Sequence, residues 1–477
     1  MTHSRLLYER LAEDLQEFIV AGNLRPGERL PSVRRLSQER RLSVSTVLQA
    51  LRQLEERGLI EARPQSGYFV RQTSAPRAQP DARVTPDSPV LVDVSQRVMR
   101  VLQTSRKTGV APLAFALPAP ELLPLAALQR LYGGVVRRHP RLLESGPFIQ
   151  LDNAALVRQL VLRAMAWEKP PAANEFVITN SCTEALALCV RAVTRPGDTV
   201  AVESPAYYLM LQLLETAGLK ALEIPTDPRT GLSIEALDLA TRDGKVAACL
   251  LVPNASNPLG NIMPDEHKRR FAKLSAERGL AVIEDDIFGD LHFGNERPRP
   301  IKAFDKTDNV MLCSSFSKCL SPALGMGFVA TGRYRQQVAL QKAITSGATS
   351  AVTQQVLAEY LESGAYDRHM RTLRRDYERQ VNAMRTAVAK YFPAATRMTE
   401  PQGGLVLWVE LPAELDAGAL YDQAIAAGLA YVPGELFSAS GMYRNCLRLN
   451  CGNPHTPAID DAVRRLGALM ARHLRAP

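Results

Sequence analysis

The sequence predicts two units of different class: a larger α/β domain on a mostly parallel sheet, and ahead of it a small three-helix module closed by a hairpin. Length is the first reason, because 477 residues exceed what a single hydrophobic core serves. Patterning is the second. Beyond residue 90, short β-branched runs alternate with longer helical patterns, whereas residues 1–71 are dense in arginine and hold no lysine. Between them, residues 72–90 are rich in Pro, Ser, Ala and charge without apolar periodicity, which predicts an extended, poorly ordered linker. The expected boundaries are therefore 1–71, 72–90 and 91–477.

Composition narrows the class. Apolar and charged fractions of 46% and 22% are those of an ordinary globular protein. No apolar stretch approaches a membrane span, and Met1-Thr2-His3-Ser4-Arg5 lacks the apolar segment of a signal peptide, so a cytoplasmic protein without membrane contact is expected. The 7 cysteines all lie in the larger part without metal-ligand spacing, which predicts reduced thiols and no metal site. A net charge of +9 and a pI near 9.2 permit nucleic-acid binding without requiring it.

In the first module Leu6, Leu7, Leu11, Leu15, Phe18 and Ile19 recur at helical spacing, and Arg25-Pro26-Gly27 breaks the run. Leu30-Pro31-Ser32 opens a second helix with Val33 and Leu36 inward. Ser43 is a plausible cap for a third, through about Arg57, with Val47, Ala50, Leu51 and Leu54 as its buried face. Gly58 ends it, and residues 59–63 with 65–70 read as a two-stranded hairpin. This is the winged helix-turn-helix plan, which lays its third helix in the major groove of DNA. Ser32, Arg34 and Arg35 then fall where phosphates would lie, and Arg63, Gln65 and Gly67 fall in the wing. A small interaction module with a solvated arginine face is the alternative.

In the large domain, chemistry-bearing residues fall at strand ends, where open parallel sheets bind ligands. Phe176-Val177-Ile178-Thr179 leads to Asn180-Ser181-Cys182-Thr183 and a helix start suited to phosphate. Val200-Ala201-Val202-Glu203 leads to Tyr207, an aromatic able to stack on a flat ring. Leu250-Leu251-Val252 leads to Asn257. Leu280-Ala281-Val282-Ile283 ends in Glu284-Asp285-Asp286, and Val310-Met311-Leu312 runs into Cys313-Ser314-Ser315-Phe316-Ser317-Lys318. A lysine among phosphate-binding groups, with a carboxylate able to keep a pyridine nitrogen protonated, is what covalent attachment of pyridoxal phosphate (PLP) requires. Taken singly, each has a bland reading: an N-cap, solvated acids at the sheet rim, a surface loop.

The module's Gly27-Glu28-Arg29-Leu30-Pro31-Ser32-Val33-Arg34, Ser43-Val44-Ser45-Thr46-Val47 and Gly58-Leu59-Ile60 resemble the GntR family of bacterial transcription regulators. Val44 stands where many members carry arginine, so base readout is expected to rest more on Ser45, Thr46 and neighbouring arginines. From about residue 92 the order of motifs resembles the fold-type I, class I aminotransferases. The resemblance implies Lys318 as the residue bonded to PLP, Asp285 as partner of the pyridine nitrogen and Asn257 as donor to the ring 3-oxygen. It also implies Tyr207 as the stacking aromatic and Ser181, Cys182, Thr183, Ser315 and Ser317 around the phosphate. Arg448, in Cys446-Leu447-Arg448-Leu449-Asn450, would grip a ligand's carboxylate. Together the two parts resemble the MocR-type regulators. That implies operator DNA and a small amino-compound effector as partners, and a head-to-tail homodimer.

The sequence departs from the aminotransferase pattern around the cofactor. Gly325 occupies the place of a phosphate-binding arginine, Phe288 that of a tyrosine hydroxyl, and Phe148 that of a neighbouring subunit's tyrosine. Phe115-Ala116-Leu117-Pro118 lacks the glycine that lets backbone approach substrate. A lost charge-assisted hydrogen bond costs roughly 1.5–3 kcal/mol, so PLP is expected to bind through Lys318 about tenfold or more weakly than in a working enzyme. Two alternatives stay open: an active aminotransferase with a vestigial DNA-binding module, and a regulator whose large domain has lost PLP.

Overall fold

Helical spacing in the first unit becomes three helices, α1 (Leu7–Val20), α2 (Val33–Arg40) and α3 (Val44–Glu56), followed by β1 (Ile60–Arg63) and β2 (Gly67–Val70). The computed structural model describes residues 7–20, 24, 28–56, 59–63, 66–70, 77–144 and 152–475, which form two compact units, 1–76 and 77–477. Leu6, the break at residues 25–27, Arg57, Gly58, Gln65 and Phe148 lie outside the described residues. Leu11, Leu15, Leu36, Val47, Ala50, Leu51 and Leu54 close one core with Ile60 and Val70. Ser32 caps α2, its Oγ accepting from the Arg35 amide at 3.3 Å, and Ser43 accepts from the Thr46 amide at 3.1 Å at the start of α3. Between them Arg41, at φ 51, turns the chain in the left-handed region. The hairpin pairs antiparallel from Ile60 opposite Val70 to Arg63 opposite Gly67.

The second unit continues the numbering with β3 (Val90–Leu91), β4 (Phe176–Thr179), β5 (Thr199–Ser204), β6 (Lys220–Asp227), β7 (Gly231–Leu232), β8 (Val246–Leu251), β9 (Ala281–Asp285), β10 (Val310–Ser315) and β11 (Gly327–Ala330). Strands β12 (Arg397–Met398), β13 (Val406–Glu410), β14 (Val432–Pro433) and β15 (Cys446–Asn450) follow. Its helices are α4 (Ser95–Thr104), α5 (Leu125–Arg138), α6 (Ala154–Arg163), α7 (Cys182–Val193), α8 (Tyr208–Thr216) and α9 (Ile234–Thr241). Then come α10 (Asp265–Arg278), α11 (Arg335–Thr345), α12 (Ala351–Glu362), α13 (Ala365–Tyr391), α14 (Tyr421–Ala426) and α15 (Pro457–Arg475).

Strands β3 to β11 form one sheet in the order β3-β6-β5-β8-β9-β10-β11-β4, with β7 on β6. Its centre, β6-β5-β8-β9-β10, is parallel throughout, and β11 runs against both β10 and β4. All of β9 and nearly all of β8 and β10 are buried, because helices cover both faces of the sheet. A second, antiparallel sheet, β12-β13-β15-β14, forms a smaller lobe. Among the described residues no helix is long and apolar enough to cross a membrane, and no group of three potential ligands could hold a metal.

The segment expected to be a loose linker is extended but, from Arg77 onward, fixed. Arg77 donates to the carbonyls of Ala389, Phe392, Ala394 and Thr396 at 2.7–3.1 Å and to that of Pro393, which satisfies orphan acceptors in and just past the last turn of α13. Asp81 pairs with Arg397 at 2.7 Å, Arg83 with Glu410 at 2.9 Å, and β3 joins the edge of β6. Composition marked the segment as irregular; it could not show that its arginines had carbonyls and acids waiting. Arg77→Ala is expected to cost on the order of 2 kcal/mol locally and to speed hydrogen exchange at the Met398 amide, which bonds the Ala78 carbonyl. Unchanged exchange there would show that the anchor is idle.

Candidate functional site

Five strands deliver side chains to one end of the sheet. After β4, Ser181 caps α7 with its Oγ, accepting from the Glu184 amide at 3.0 Å, so the first amides of α7 point outward beside Thr183. After β5 comes Tyr207, after β8 the buried Asn257, at the end of β9 Asp285, and past β10 Ser317 and Lys318. Lys318, Asp285, Asn257, Tyr207, Ser181, Cys182, Thr183 and Ser317 line one cleft of about 110 Å³. Its apolar wall includes Val252, Ile287 and Phe288, which suits a flat ring.

The electrostatics of the cleft are set by burial. The Lys318 amine donates to the Ala116 carbonyl at 2.6 Å. Loss of water, and secondarily the Arg448 guanidinium, pull its pKa down to about 8, which brings the neutral, nucleophilic amine within reach of ordinary pH. Burial pushes Asp285 the other way, to about 6, against the amide of Ile287, which donates to it at 2.9 Å. The Cys182 thiol, expected near a phosphate, instead reaches Asp285 Oδ1 at 3.4 Å.

Two expected residues are placed differently. Ser315 does not line this cleft; it bonds the Ser317 hydroxyl at 2.8 Å and borders a separate cavity with Asp286, Asp290 and Arg297. Arg448 is fully buried behind the wall rather than in it. Its Nη1 donates to Asn257 Oδ1 at 3.1 Å, its other terminal nitrogen to the Ala114 carbonyl, and its Nε has no partner. To take a carboxylate it must exchange one of these bonds or turn the idle Nε toward it.

The departures foreseen in the sequence take physical form. Phe288 is buried at the cleft and brings no hydroxyl. Gly325 lies at φ 55 after the turn Pro322–Leu324, and among the described residues no guanidinium lines the cleft. The acids of β9 are not a solvated rim. Glu284 accepts from the Ile301 and Lys302 amides at 2.7 and 3.0 Å, and Asp286 binds Asn254 at 2.8 Å and Arg297 at 2.5 Å. The Ala116 carbonyl and this carboxylate–guanidinium network were not foreseen. An acid triplet after a buried apolar run hints at the network, but nothing in the sequence points to Ala116.

On the head, Arg34 is exposed and free of any partner among the described residues, whereas Arg35 is tied to Glu39 at 2.7 Å. Ser43 bonds the hydroxyls of Ser45 and Thr46 at 2.8 and 2.7 Å, so these three form an exposed hydroxyl cluster at the start of α3. Gly67, at φ 99, shapes the wing turn. Arg63 lies on β1 but its side chain is not among those described.

Comparison with known proteins bears on both units. The family described as "Aminotransferase class I and II" matches residues 153–466, and "Bacterial regulatory proteins, gntR family" matches residues 7–70. The chain is 38% identical over 466 residues to the uncharacterized HTH-type transcriptional regulator YjiR of Escherichia coli, covering 98% of this chain and 99% of the relative. To YdcR of the same organism, named likewise, it is 37% identical over 477 residues, at 98% and 99% coverage. A crystal structure of LysN, an alpha-aminoadipate aminotransferase from Thermus thermophilus complexed with N-(5'-phosphopyridoxyl)-L-leucine, superposes with a TM-score of 0.72 at 28% identity, covering 79% of this chain and 95% of that one.

Proposed function

This chain belongs to the class I and II aminotransferase family and carries a GntR-type regulatory head, and from that membership we propose that it is a DNA-binding transcription regulator whose large domain binds PLP and senses PLP or an amino compound. The observation that carries the reading is a half-buried lysine, with its pKa near 8, sharing a cleft with a buried carboxylate in a chain that also bears a helix-turn-helix.

The residues fit the cofactor. Lys318 would hold it covalently, Asp285 would keep its pyridine nitrogen protonated, Asn257 would meet the ring oxygen and Tyr207 would stack. Ser181, Thr183 and Ser317, with the first amides of α7, would hold the phosphate. Bound there, PLP supplies an electrophilic carbon for amines. Among the described residues no guanidinium lines the cleft, so the phosphate would be held by hydroxyls and amides, which supports weaker retention than in an enzyme. A carboxylate taken by Arg448, on β15 of the smaller lobe, would displace its bond to Asn257 or to the Ala114 carbonyl, which would link effector binding to the smaller lobe.

On DNA, Arg34 is an exposed cation expected to grip a phosphate, together with the hydroxyls of Ser32, Ser43, Ser45 and Thr46; Arg35, Arg63, Gln65 and Gly67 complete the proposed surface. The assembly we propose is a head-to-tail homodimer acting in the cytoplasm. The presence of Lys318, Asp285 and Arg448 together also supports residual aminotransferase activity as a second reading.

Gel shifts on the region upstream of the protein's own gene, at two salt concentrations and with or without PLP, test the proposal. Binding is expected to fall steeply with salt, to weaken severalfold in Arg34→Ala, and to change when PLP is added. Salt-independent retention, or indifference to both changes, would refute it.

A further inference from the structure

Helix α13 has two unlike faces. Inward, Met370, Leu373 and Tyr377 are buried, and His369 Nε2 bonds the carbonyl of Cys319, one residue past Lys318, at 2.8 Å. Outward, Arg368, Arg371 and Arg375 stand exposed at spacings of three and four, which aligns them along one side of the helix. Among the described residues none of the three has a carboxylate partner. Arg368 reaches only the Ser363 carbonyl at 3.5 Å, Arg375 only the Arg371 carbonyl at 3.2 Å, and the Arg371 side chain nothing. The adjacent acid, Asp367, is taken by Arg163 at 3.1 Å. Elsewhere on this unit exposed guanidiniums commonly rest on acids, as in Arg100–Asp422, Arg269–Glu168, Arg270–Glu235 and Arg444–Asp416. Like charges three and four apart oppose the helix, a cost that a bound polyanion would offset.

We propose that Arg368, Arg371 and Arg375 form a second, sequence-independent DNA contact, which grips backbone phosphates outside the segment read by the head. This rests on the reading of the head as DNA-binding. One observation adds to charge: all three residues are arginine, whose planar fork suits phosphate. Because the inner face touches the turn that bears Lys318, a change at the cofactor reaches this contact through one helix.

The test is hydroxyl-radical footprinting and salt titration of the full-length chain on a long duplex from upstream of its own gene. The triple variant Arg368→Gln, Arg371→Gln, Arg375→Gln is expected to keep the central protections, which Arg34→Gln loses, and to lose protection in the flank. Its slope of log affinity against log salt should fall by about 2 to 3, at about 0.9 per phosphate released. The triple lysine variant, which keeps the charge, should restore most of that slope. A footprint and slope identical to wild type overturn the proposal. So does loss of the central protections together with the flank, or a lysine variant as impaired as the glutamine one. Wild-type protein that protects no DNA would instead sink the regulator reading, and this proposal with it.

Discussion

Replacing Lys318 with alanine is expected to leave DNA affinity in the absence of PLP within about twofold of wild type and to remove any change when PLP is added, a change expected to be 5- to 150-fold in wild type if the coupling is of the usual 1–3 kcal/mol. Lys318 belongs to the second unit and lines a cleft far in sequence from the head, so its loss removes the ligand's covalent hold and leaves the helix-turn-helix core intact. The visible absorption of PLP-loaded protein should vanish with it. A Lys318→Ala protein that still answered PLP would place the sensing elsewhere.

Asp285→Asn is expected to produce opposite effects on stability and ligand retention. Burial lifts the Asp285 pKa from 3.8 to about 6 in the folded state. For a raised folded pKa, the stabilising contribution is fully present below the unfolded value and is lost as pH rises through about 6, because the charged form is then held away from water. Without PLP, the asparagine variant should therefore be more stable than wild type above pH 6, by up to about 3 kcal/mol at the 1.36 kcal/mol per unit of linkage, and the difference should close below about pH 4. The Ile287 amide keeps an acceptor in the variant. PLP retention should fall at the same time, since a neutral amide does not hold a pyridine nitrogen protonated. Denaturant melts at pH 8 and pH 4 read the first effect, and a destabilised variant at pH 8 would contradict it.

What was legible in the sequence was legible for physical reasons. Period-3.6 patterning with Ser32 and Ser43 at helix starts gave the head, and the structure places both hydroxyls on the amides they cap. Apolar runs ending in polar residues gave the strand order's chemistry, and eight of the expected cofactor residues do meet in one cleft. Long-range partners were not legible. Nothing local announces that Arg77 fastens beyond a helix more than three hundred residues later, that the Ala116 carbonyl receives the Lys318 amine, or that Asp286 is matched by Arg297. Ser315 and Ser317 share a hydroxyl–hydroxyl bond yet border different cavities, Ser315 being the last residue of β10 and Ser317 lying in the turn beyond it. The motif singles out Arg448, but its partners in the structure depend on how the two lobes meet, which a linear pattern does not encode.

Reduction with borohydride, which makes a lysine–cofactor link permanent, followed by peptide mapping of PLP-treated protein, tests the central claim most directly. The account predicts a single phosphopyridoxyl adduct on the peptide containing Lys318, with loading that steepens as pH rises toward about 8 and then levels. No adduct, or an adduct on another lysine, would contradict it.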